Sequence, residues 1–140
     1  MSYSQRLPIT EIKDKVTAIS VDFAEKFGTY LGTDDKEMRQ DKNGRMKEVK
    51  VAAKLTTTQL RKFFGEVKRQ QMVGYQPTDF ILLKPKLAYA VGRADKNSKI
   101  RDFYDVLSNM IDNVSSEKEF KNFIKIFEAI VAYHKVAENR

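Results

Sequence analysis

The 140-residue sequence predicts an all-α fold, a compact bundle of about five helices. Three observations carry that expectation. Apolar residues recur at steps of three and four along most of the chain, as the face of a 3.6-residue helix requires. Two capping boxes, Thr56 with Gln59 and Ser116 with Glu119, mark helix starts. No stretch alternates at period two for long enough to build a sheet. The length fits one domain spanning residues 1–140, and a hydrophobic content of 41% is too high for a disordered basic tail.

The first helix is read from Ile9, Ile12, Val16, Ile19, Phe23 and Phe27, with Gly28 or Gly32 able to end it. Residues 32–47 then break the pattern with clustered charge and an Asn-Gly pair, which predicts an exposed, mobile loop. The second helix starts at Thr56, runs to about Met72, and turns Leu60, Phe63, Phe64, Val67 and Gln71 to one side. Gly74 and Pro77 punctuate the turn that follows. Phe80 to Gly92 is apolar on several sides, and Pro85 predicts a kink or a fresh start there, because proline lacks a donor and disfavours helical backbone at Lys84. Ile100, Phe103, Tyr104, Leu107 and Ile111 give the fourth helix. The last helix carries Phe120, Phe123, Phe127, Ile130, Val131 and His134. Lys47 to Lys54 is compatible with extended backbone, but a sheet needs several partners.

Composition excludes several classes of function. Cysteine is absent, so disulfides, thiolate metal sites and thiol nucleophiles are all excluded, and a reducing, cytoplasmic setting is expected. The amino-terminal residues form no apolar export segment, and the strictly apolar runs, such as Phe80 to Leu83, are far too short to span a membrane. The one histidine, His134, lies on an apolar stripe without a visible catalytic partner. Asp34, Asp35, Glu37 and Asp41 are candidate oxygen ligands for a hard cation. However, placing Gly44 at the sixth position of a calcium loop puts Arg39 first and Lys50 twelfth, where carboxylates are needed. Glycine-rich phosphate loops are missing as well. The expectation is a protein with no catalytic residues, no metal and no cofactor.

Charge is the informative signal. Between Gly44 and Arg101 stand 14 Lys and Arg against only Glu48, Glu66, Asp79 and Asp95, within a chain whose net charge is +7. The rest of the chain is therefore slightly acidic. A concentrated basic block predicts an acidic partner, with nucleic acid the commonest case. Arg61 and Lys68 are seven apart, as are Lys62 and Arg69, which predicts a ridge two turns long on the second helix. Lys54 joins that ridge if the helix extends backward. Lys84, Lys86 and Arg93 flank Pro85, and Lys96, Lys99 and Arg101 continue the block. Among the aromatic residues, Phe63, Phe64, Tyr89 and Tyr104 fall on or beside helical stripes and are read as core, whereas Tyr75 is read as exposed.

At these residues the chain resembles a known family. KLTTTQLRKFFGEVK (Lys54 to Lys68), FILLKPKLAYAVGR (Phe80 to Arg93), FYDVL and FKNFIKIFEAIVAYHK occur in that order and resemble the small subunit of type III-A CRISPR-Cas effector complexes. The resemblance spans about residues 47–135. It implies a non-catalytic, helical, RNA-binding subunit that stacks in several copies along paired crRNA and target RNA, beside the backbone subunits and the large subunit. By position it implies an RNA-facing set of Lys54, Arg61, Lys62, Lys68, Arg69, Lys84, Lys86 and Arg93. Contacts would go to phosphates and sugars, because side chains cannot read the deep major groove of an A-form duplex. An unrelated helical module that grips RNA or DNA backbones, and a metal-dependent enzyme using the acidic loop, remain as alternatives.

Overall fold

The computed structural model describes residues 3–139; residues 1, 2 and 140, which the expected single domain includes, lie outside the described residues. Its elements, in chain order, are α1 (Thr10–Lys13), α2 (Ala18–Leu31), β1 (Asp35–Gln40), β2 (Met46–Val51), α3 (Thr57–Val73), α4 (Pro77–Ile81), α5 (Leu83–Arg93), α6 (Ile100–Asp112) and α7 (Glu117–Glu138). The fold is mainly helical, but not all-α, because β1 and β2 pair as an antiparallel hairpin. The buried apolar side chains form one connected cluster. At its centre lies α7, which contacts α1, α2 and α3. Its Phe127 meets Phe63 of α3 edge-on at 5.5 Å, and its Phe123 meets Phe80 of α4 at 5.1 Å.

The stripe expected to form one first helix is broken between Lys13 and Ala18, leaving Ile9 and Ile19 exposed. Glu11 explains the break. Its carboxylate is 3% exposed and accepts hydrogen bonds from the Thr17 amide and hydroxyl and the Ser20 amide and hydroxyl, at 2.6–3.2 Å. It thus satisfies orphan amides at the start of α2 that a continuous helix would have filled with backbone carbonyls. Burial alone would raise the Glu11 carboxyl, but the hydrogen bonds from Ser20 and Thr17 outweigh it and hold the group below its ordinary value. Asn122 of α7 donates to the carbonyls of Ile12 and Asp14 and fixes the joint from the other side.

Gly28 does not end α2; Gly32 is the C-cap. Both glycines sit where α2 lies almost backbone to backbone on α7. A Cβ at Gly28 would stand 2.6 Å from the Ile130 carbonyl oxygen, and one at Gly32 would stand 2.7 Å from that of His134.

Residues 32–47, expected to be a loop, are mostly hairpin. The Asn-Gly pair is its turn, where Gly44 takes φ 78° and Asp41 Oδ1 accepts the amides of Asn43 and Arg45. Neither face of the ribbon is apolar, so the alternation that announces a strand is absent. Instead the hairpin is held at its base. Asp34 accepts the amides of Ala53 and Lys54, both at 3.0 Å, and these bonds keep its carboxyl low. Lys99, only 4% exposed, donates to the carbonyls of Tyr30 and Thr33 and pairs with Asp35 at 3.2 Å. A residue counted with the surface charge is therefore an internal tie.

Two further boundaries differ from expectation. The fresh start expected at Pro85 falls at Leu83, which places the proline in the first turn of α5, where its missing donor costs nothing, and leaves Lys84 helical. On α3 the buried glutamine is Gln70 rather than Gln71, and it donates to the Asp79 carbonyl. The capping box at Thr56 forms as read, and Ser116 caps α7 by accepting from the Glu119 amide.

Candidate nucleic-acid interface

The eight basic residues named from the resemblance do not form one uniform ridge. Four are neutralised by carboxylates and four are not. Lys68 reaches across to α7, its Nζ 3.3 Å from Glu128 Oε2. Arg69 grips Glu66 with two nitrogens, at 2.6 and 3.1 Å, and Lys86 of α5 approaches the same carboxylate at 3.3 Å. Lys84 pairs with Asp112 of α6 at 2.6 Å. Arg61, Lys62 and Arg93 are exposed and have no carboxylate partner among the described residues. Lys54 is half-buried in the segment between β2 and α3, since α3 begins at Thr57 and does not extend backward.

Helical geometry sorts the α3 cations into separate aspects. Phe64 and Lys68 lie on the α7 side, where Phe64 packs edge-on against Phe127. Lys62 and Glu66 lie on the α5 side, and Arg61 and Arg69 point between these two flanks. A spacing of seven places residues above one another on a helix, but it does not say which neighbouring element waits there. Here the neighbours supply Glu128 to one cation and Glu66 to another.

Glu66 is the carboxylate shared by Arg69 and Lys86. The Arg69 hydrogen bond is the main cause that lowers its carboxyl, with Gln70 and Lys86 adding to it against the opposing effect of burial, and the group is held at about 2. It is therefore a fixed anion that orients Arg69 and Lys86. Arg69 and Lys86 together carry one charge more than Glu66 removes, so the group stays cationic.

Between α3 and α5 the surface opens into a cleft of about 490 Å³. Its floor is apolar, with Leu55, Phe63, Leu87 and Phe103 among the lining residues, and Lys62, Lys86 and Arg93 stand along it. Three residues spread over 32 positions of sequence are thus brought to one opening. Tyr89 also lines it. This residue was expected in the core, yet it is 68% exposed, and the Arg93 guanidinium lies 5.5 Å from its ring centre. Tyr75, expected to be exposed, instead packs against Phe80 and Phe120 at 5.9 and 5.4 Å. Position on α5 is the signal that sequence reasoning missed. Leu83, Leu87 and Ala90 lie on one stripe, and Tyr89 falls outside it.

The alternative chemical centres are accounted for structurally. His134 is 2% exposed and its Nε2 lies 2.6 Å from the Leu55 carbonyl oxygen, an arrangement in which the ring nitrogen donates. Asp34 and Asp41 shape the base and turn of the hairpin, as described above. Among the described residues no group of three His, Asp or Glu side chains is arranged to hold a metal ion. No helix among them is long and apolar enough to cross a membrane.

A family model described as Csm2 Type III-A matches residues 34–140, starting at the hairpin rather than at residue 47 where the sequence resemblance began. No curated protein and no solved structure matches the chain.

Proposed function

The chain belongs to the Csm2 Type III-A family, the small subunit of type III-A CRISPR-Cas complexes, and from that premise we propose that it is a non-catalytic RNA-binding subunit of such a complex. In this reading it acts in the cytoplasm as a single, mainly helical domain. It stacks in several copies beside the backbone and large subunits, along crRNA paired with target RNA. Its α3–α5 face lies against the nucleic acid. The observation that carries the reading is the convergence of Lys62, Lys86 and Arg93 on one opening, with Arg61 exposed on the adjoining turn of α3.

The expected contact is electrostatic. Arg61, Lys62 and Arg93, which no carboxylate among the described residues neutralises, would take phosphates, and Arg69 and Lys86, held by Glu66, would present fixed donors beside them. Such a surface grips the backbone without reading sequence, and guide pairing supplies specificity. Lys68 and Lys84 sit in ion pairs with Glu128 and Asp112, so they contribute less.

The isolated chain is expected to bind A-form RNA duplexes, and likewise single-stranded RNAs, with little dependence on their sequence. Because each neutralised phosphate adds roughly 0.7–0.9 to the slope of log affinity against log salt, three to five contacts predict a slope of about −2 to −4.5. Fluorescence anisotropy over a salt series measures this directly. Absence of binding at about 50 mM salt, where such contacts are strongest, would remove the proposal.

A further inference from the structure

Phosphates require cations, but they do not require the apolar floor or the exposed aromatic ring of the α3–α5 cleft. An exposed tyrosine beneath an arginine presents a flat stacking platform, and Tyr89 stands at an opening whose interior is lined by Phe63, Leu87 and Phe103. A volume of about 490 Å³ falls within the roughly 300–1,000 Å³ of small-ligand sites. We propose that this cleft takes one unstacked base of single-stranded RNA, stacked on Tyr89, with the flanking phosphates on Lys62, Lys86 and Arg93. The inference deepens the RNA-binding reading above and rests on it.

The chemistry of the lining fits a base of any identity. The faces of a nucleobase are apolar enough for the cleft floor, while its edges need polar partners. Gln59 lines the cleft and uses its Oε1 to accept the Thr56 amide, which leaves its Nε2 as a donor, and Thr58 lines the cleft as well. Glu66 is committed to Arg69, Gln70 and Lys86, so it offers no set of partners that one base alone would satisfy. Stacking without a matched hydrogen-bond set binds bases with little sequence preference. A duplex cannot use the cleft, because its bases are paired and stacked inside the helix. The competing occupant is an apolar helix of a neighbouring protein chain. The three cations along the opening and the arginine over the tyrosine ring favour an anion that carries a flat ring.

The test uses the full chain, a labelled single-stranded RNA, a blunt RNA duplex, and a single strand containing 2-aminopurine. Tyr89→Ala is expected to weaken single-strand binding about tenfold, while leaving duplex affinity and thermal stability unchanged. Tyr89→Phe should keep both affinities. 2-Aminopurine fluorescence should be quenched by wild type and by Tyr89→Phe, and not by Tyr89→Ala. Unchanged single-strand affinity in Tyr89→Ala, or an equal loss on duplex and single strand, would overturn the base site while the phosphate-binding face stands. Normal RNA binding with failed assembly of copies or other subunits would assign the cleft to a protein partner and overturn it as well. If wild type binds neither RNA, the base site and the RNA-binding reading fall together.

Discussion

Gly28→Val is expected to cost at least about 3 kcal/mol and to lower the thermal midpoint by about 10 °C or more. The reason lies in the pair α2 and α7, the most extensive helix contact in the fold. Even a methyl group at Gly28 would meet the Ile130 carbonyl oxygen at 2.6 Å, the His134 amide nitrogen at 2.9 Å and the Tyr133 Cβ at 2.9 Å. Two of these are backbone atoms, which cannot swing aside as the end of a long side chain can. The branched side chain would push the helices apart and loosen Phe27, Leu31, Ile130 and the His134 bond to Leu55 together. Gly65→Ala is the control, because a Cβ there meets nothing within 4 Å, and it should raise stability by about 0.5–1 kcal/mol through helix propensity. Circular dichroism melts of both variants check the pair. A wild-type-like melt for Gly28→Val would mean that α2 and α7 are not packed this closely.

Reversing or removing the unpaired charge is the second large effect. Arg61→Glu combined with Lys62→Gln and Arg93→Gln is expected to weaken RNA binding on the order of a hundredfold at about 0.1 M salt and to make the salt slope shallower by roughly 2–3. These three cations are exposed and no carboxylate among the described residues neutralises them, so no carboxylate there is left unpaired when they go. Glutamine rather than glutamate at residue 62 avoids a like-charge pair with Glu66 one turn away. Substitutions at such exposed positions change stability by about 0.5 kcal/mol or less. Altering Lys68 and Lys84 instead should weaken RNA binding far less. Equal losses from the two sets would mean that general charge, and not the α3–α5 face, drives binding.

The contrast between these two sets shows what the chain discloses before it folds. Helix positions were legible wherever an apolar stripe met a capping residue, as at Thr56 and Ser116, because both signals are local. The hairpin was not, because its stability comes from Asp34, Lys99 and the turn at Gly44 rather than from an apolar face. The break before α2 was hidden for a similar reason. It depends on one buried carboxylate, Glu11, that reads as an ordinary surface charge. At the candidate site, the clustering of positive charge was plain in the sequence. Which cations remain available was not, since that depends on Glu128 and Asp112, contributed by α7 and α6. The exposure of Tyr89, by contrast, was legible, because it falls outside the stripe of Leu83, Leu87 and Ala90 on α5.

The most direct measurement of the central claim is ultraviolet cross-linking followed by mass spectrometry on the guide-loaded, target-bound complex containing this chain. Cross-links from guide or target RNA should fall on peptides of α3 and α5 that contain Arg61, Lys62, Lys86, Tyr89 and Arg93. Recovery of the chain in the complex with its RNA cross-links confined to the hairpin, α2 or α7 would contradict the account.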